Sequence, residues 1–168
     1  MTLLVAAIAA TVAAIFESAI TQYLQVGGTA WPHLVFVLAV ITTVAVGLES
    51  GLVWAFVGGI TLDSLAQRPL GSTAFALLIV VGATGFLART LARIRPIVTI
   101  IATALLSLVY SMTLVLLFSV LRPPAALSDP LRIVLPSVAY DVVLAALLGP
   151  LAVSLHDRFA PDEERVSR

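Results

Sequence analysis

The sequence has no cysteine and no lysine in 168 residues, and only two histidines. Without cysteine there are no disulfides, no thiol catalysis and no cysteine-ligated metal. His33 and His156 are too few for a convincing metal cluster, and no metal or other cofactor is expected. Charge is scarce too: Asp, Glu, Lys and Arg make up 11% of the chain, where a soluble domain has about 25%. Nine acids balance nine arginines, which leaves no electrostatic footprint for nucleic acid. Also missing are a zinc-type HExxH, a GxSxG elbow, a phosphate-cradling glycine loop and any Ser–His–acid set in the sequence. No catalytic residue stands out.

What is present is apolar. Hydrophobic residues make up 61% of the chain and the mean hydropathy is +1.14, more apolar surface than a soluble fold of this size can bury. A spanning helix needs about 20 residues. The pattern predicts an all-α integral membrane domain over 1–156 with six transmembrane helices, at about 2–24, 33–46, 49–66, 72–91, 97–121 and 131–155. A polar tail over 157–168 is predicted to be cytoplasmic. The first run lacks the basic start of a signal peptide and is too long for its apolar region. Gln22, Gln25, Gly27, Gly28 and Thr29 predict a polar turn, and Trp31-Pro32-His33 an interfacial start to the second span. The fifth run is the most uniformly apolar and is expected to face lipid. Pro136 and Gly149-Pro150 are expected to bend the sixth.

Arginine placement orients the bundle. With both termini on one side, that side carries Arg89, Arg93, Arg95, Arg158, Arg165 and Arg168, against Arg68, Arg122 and Arg132 opposite. The positive-inside rule then puts both termini in the cytoplasm.

The third run carries the densest signal. Gly47, Gly51, Ala55 and Gly59 recur every four residues, and the next step lands on Asp63. Residues four apart share a helix face, so this reads as a smooth ridge that lets another helix approach closely. Ala6, Ala10 and Ala14 make a similar ridge on the first run. One ridge is expected to be used inside the bundle and the other to meet a partner.

Four acids sit in or beside the spans: Glu17, Glu49, Asp63 and Asp141. Intramembrane acids suggest an ion path, a proton relay or a substrate contact. Glu49 lies at a helix start, where a carboxylate is hydrated or favours the helix. Asp63 precedes a short break at Arg68-Pro69-Leu70-Gly71. There it would accept from the free amides that open the fourth helix, capped by Ser72 or Thr73, or pair with Arg68. Asp141 has only Tyr140 and the Pro136 carbonyl in its own turn. His33 reads as interfacial, and Tyr110, Ser111 and Tyr140 as interhelical hydrogen-bond donors.

The stretch Gly47-Leu48-Glu49-x-Gly51-x-x-Trp54-x-Phe56-x-Gly58-Gly59-x-x-x-Asp63, followed by Arg68-Pro69-Leu70-Gly71-x-x-Ala74, resembles the core signature of the rod shape-determining MreD family. Span order, Trp31-Pro32 and the Pro136 to Pro150 region are similar as well. Two positions depart from the family's habit: His33 stands where Asp or Asn often follows the proline, and Asp141 where Asn is more usual. The resemblance implies a non-enzymatic scaffold of the bacterial elongation machinery in the plasma (inner) membrane. It would bind the transmembrane or juxtamembrane segment of MreC. Through MreC and MreB it would support peptidoglycan synthesis by RodA and a class B penicillin-binding protein. It also implies a fold similar to the six-helix substrate-binding component of energy-coupling-factor vitamin transporters. That likeness supplies the rival reading, a small-molecule transport component with Glu17, Asp63, Asp141 and Tyr140 around a polar pocket.

Overall fold

The computed structural model describes residues 2–21, 23, 32–90, 95–121 and 130–159. Its elements are α1 (Thr2–Ile20), α2 (Leu34–Ala45), α3 (Leu48–Leu65), α4 (Ser72–Thr90), α5 (Arg95–Leu121) and α6 (Pro130–Phe159). Four helices contain stretches long and apolar enough to cross a membrane: Thr2–Ile20, Ser72–Arg89, Thr103–Leu121 and Val134–Leu151. α3 has a comparable length, but its glycines, Glu49 and Asp63 dilute its hydropathy. α2 is strongly apolar but only 12 residues long. That is about 18 Å of helix, against a hydrocarbon core of about 30 Å.

The short helix is the centre of the bundle. α2 touches all five of the others, and every residue in it except Leu34, Leu38 and Thr42 is buried. A helix apolar all round is the kind that can sit there. Phe36 stacks on Tyr110 of α5 at 5.1 Å between ring centroids, and Val35, Val37 and Val40 are fully enclosed. α3 packs on α1, α2 and α4.

The glycines of α3 point to different neighbours rather than forming one ridge. A Cβ at Gly51 would collide with the Thr43 side chain of α2. One at Gly58 would lie 2.8 Å from Val35 Cγ1 and 3.6 Å from Ala10 Cβ, and one at Gly59 would lie 2.6 Å from the Ala74 nitrogen of α4. The reason is helical pitch: each step of four residues overshoots a full turn by about 40°, so the line winds around the helix.

Two turns depend on glycine for their backbone. Gly47, between α2 and α3, has φ +130° and ψ 169°, and Gly71, before α4, has φ +90°. Neither position has an atom within 4 Å of where a Cβ would stand, so a side chain there costs backbone strain and no steric clash. Gly47→Ala and Gly71→Ala are each expected to lower stability by about 1–3 kcal/mol, read as a lower midpoint of thermal unfolding in detergent.

Several sequence expectations are adjusted. α5 is not uniformly lipid-facing: Thr103, Leu106, Ser107, Tyr110 and Leu114 are buried on one side, while Leu105, Leu108, Val109 and Leu116 are exposed on the other. α6 runs unbroken in secondary structure through Pro136 and Pro150 to Phe159, three residues into the stretch read as a tail. The polar turn at 24–31, the proline-rich loop at 122–129, Arg93 and residues 160–168 lie outside the described residues.

Candidate functional site

The first amides of any α-helix have no partner within it, and burying them unpaired is costly. α2 starts deep among its neighbours, so the need is acute there. Two carboxylates from other helices meet it. Asp141 of α6 accepts from the His33 backbone N–H through Oδ1 at 2.9 Å. Glu17 of α1 accepts from the Val35 N–H through Oε2 at 2.6 Å. Asp141 is fully enclosed, and its Oδ2 also receives His33 Nδ1 at 3.0 Å and Ser107 Oγ of α5 at 2.5 Å. The edge of the His33 ring meets Tyr110 at 5.2 Å between centroids, and Trp54 of α3 donates from Nε1 to the Val35 carbonyl at 3.2 Å.

A third acid does the same for α4. Asp63, also fully enclosed, accepts from the Thr73 N–H at 3.1 Å through each of its oxygens, and Ser72 Oγ lies 3.2 Å from its Oδ1. The capping acceptor of α4 is therefore Asp63 of the preceding helix. The Arg68 N–H closes the end of α3 on the Asp63 carbonyl at 2.9 Å, with Gln67 left-handed at φ +50°, the pattern of a Schellman turn. The Arg68 side chain does not pair with Asp63. Its guanidinium lies 5.9 Å from the centre of the Phe118 ring, a cation–π distance.

Sequence alone missed Ser107 and the pairing of His33 with Asp141. His33 is buried; its partner is 108 positions away, beyond the reach of any local pattern. Ser107, His33 and Asp141 do meet, although no such set shows in the sequence. Their geometry is not that of a nucleophilic triad, because Ser107 bonds the carboxylate rather than the imidazole. Tyr110 is enclosed and Tyr140 half-buried, while Glu49 is exposed. The Ser111 hydroxyl is buried without a hydrogen-bond partner among the described residues. No group of three or more metal-ligating side chains occurs among those residues.

The predicted ridges are covered by the chain's own helices. Ala6, Ala10, Gly51, Ala55 and Gly59 are all buried, and Gly47 sits in the turn before α3. Neither ridge is open at the surface. The described residues form a lateral groove of about 490 Å³ lined by Val5, Ile8, Ala9, Val12, Ala13 and Phe16 of α1, Leu34 and Leu38 of α2, and Trp54 of α3. A smaller crevice of about 130 Å³ lies between α1, the start of α2 and Leu144.

A family model described as rod shape-determining protein MreD matches residues 1–158. The chain belongs to the MreD family. It is a membrane protein of a family concerned with rod shape, a shape-determining structural family. No curated protein and no solved structure matches the chain. In this MreD chain the stretch that carried the resemblance is a set of contacts. Gly51 lies against Thr43, Gly58 against Val35 and Ala10, and Gly59 on the Ala74 backbone. Trp54 bonds Val35, Asp63 bonds Thr73, and Pro69 and Gly71 shape the turn between them.

Proposed function

We propose that this MreD protein is a six-span, non-enzymatic scaffold of the elongation machinery in the bacterial inner membrane, with both termini cytoplasmic, and that it binds the transmembrane or juxtamembrane segment of MreC. MreB, RodA and a class B penicillin-binding protein are reached through MreC, in support of peptidoglycan synthesis. The fold would resemble the substrate-binding component of energy-coupling-factor transporters. One observation carries the reading beyond family membership: the inner acids serve helix starts, and an apolar groove lies open along α1. In lipid, helices associate through close packing in such places. The vitamin-transport alternative has less support, since the groove has an apolar lining and the crevice beside Glu17 holds only about 130 Å³, below the roughly 300–1,000 Å³ of small-molecule sites.

The test is recovery of MreC. Ile8 and Val12 line the groove and are exposed, so Ile8→Trp with Val12→Trp fills it without disturbing the core. The pair should cut MreC co-purification from membranes at least several-fold, while Phe75→Ala on the exposed side of α4 leaves it unchanged. Equal recovery in all three proteins would remove the groove from the account.

A further inference from the structure

One carboxylate ties three helices together at the start of α2. Asp141 on α6 holds the His33 backbone, the His33 ring and the Ser107 hydroxyl of α5, and Glu17 on α1 holds the next available amide. The other side-chain donors at this junction, Ser107 Oγ and Trp54 Nε1, do not titrate over ordinary pH. Histidine is the side chain whose ordinary titration falls between about pH 5 and 8. We propose that the His33–Asp141–Ser107 junction is a protonation-controlled latch that sets how tightly the start of α2 is clamped to α5 and α6.

The charges facing His33 among the described residues give the sign. Asp141 faces it from α6, Glu17 from α1, and Arg68 from the turn between α3 and α4. Tyr110 of α5 meets its ring edge-on, with Asp63 of α3 beyond. One carboxylate bonded to the ring and a second one nearby thus act on it against one guanidinium. A protonated His33 balances them and makes a charge-assisted bond to Asp141, about twice as strong as a neutral one. Loss of that proton leaves a neutral donor between two acids and weakens the clamp. A crevice lined in part by Glu17, Pro32, Leu34 and Leu144 lies beside the start of α2.

Trp54 is a built-in reporter, because its indole N–H bonds the carbonyl of Val35, two residues into the latched segment. The chain has only two tryptophans, so Trp31→Phe isolates its signal. In lipid nanodiscs, without any partner, the Trp54 emission maximum of the Trp31→Phe protein should move to longer wavelength as pH rises from about 5 to about 9, a window extended upward because the facing carboxylates favour the proton. The shift should be absent when His33→Asn is added, since asparagine keeps an N–H donor but does not titrate, and should persist with Glu17→Gln. If His33→Asn lowers the helical circular dichroism, His33→Gln takes its place. A pH-independent Trp54 spectrum, or a shift that survives loss of the histidine, overturns the latch. Because MreC is absent from the experiment, neither result bears on the groove.

Discussion

Gly59→Leu should yield no folded bundle after extraction in mild detergent, and even Gly59→Ala should destabilise it by about 3 kcal/mol or more. Two opposing effects decide the sign. Alanine gains about 1 kcal/mol over glycine in a helix interior. Against that, the added Cβ would lie 2.6 Å from the Ala74 nitrogen and 2.8 Å from the Ala74 Cβ. Those obstacles are backbone and a stub methyl, neither of which can rotate away, so α3 and α4 must separate. Parting them also pulls Asp63 from the Thr73 amide it caps, which makes the loss cooperative. Gly82 is the control. It lies mid-α4 with nothing within 4 Å of a would-be Cβ, so Gly82→Ala should be neutral or stabilise by up to about 1 kcal/mol. Thermal unfolding followed by circular dichroism or size-exclusion retention separates the two. Similar midpoints for Gly59→Ala and Gly82→Ala would show that the α3–α4 contact is looser than described.

Asp141→Ala is the second large effect. It removes the acceptor for three donors at once: the His33 N–H, the His33 ring and Ser107 Oγ. Each is buried, and a buried polar group left without its partner costs about 1–3 kcal/mol. The expected loss is therefore about 3–5 kcal/mol, the range for stripping one member from a buried ionic pair. Asp141→Asn keeps one acceptor oxygen and should retain part of that stability. The order wild type, then Asn, then Ala in unfolding midpoint is the expected result. If alanine matches wild type, the aspartate does not hold α2.

The sequence disclosed most where interacting groups are close along the chain. Asp63 and Thr73 are ten positions apart, with a Pro-Leu-Gly break between them, so a carboxylate aimed at the next helix start could be inferred from spacing. Asp141 and His33 are 108 positions apart. Nothing local links them, and the Asp141 turn offers no hint of a histidine or of Ser107. The role of α2 was hidden for another reason: a helix buried on all sides has no polar face to mark its direction, and its 12 residues read as a short span rather than a hub. The four-residue glycine spacing in α3 was real, but its slow winding sends Gly51 to α2 and Gly59 to α4. That rotation uses the ridge within the bundle and leaves the outer side of α1 for the groove.

Amide hydrogen exchange at helix starts tests most directly whether the inner acids serve as interhelical caps. First-turn amides normally exchange fast because no intrahelical carbonyl protects them. In lipid nanodiscs His33, Val35 and Thr73 should instead be protected. Each should lose protection selectively: His33 in Asp141→Ala, Val35 in Glu17→Ala, and Thr73 in Asp63→Ala. Fast exchange at these amides in the wild type, or protection that persists without its acid, would contradict the account.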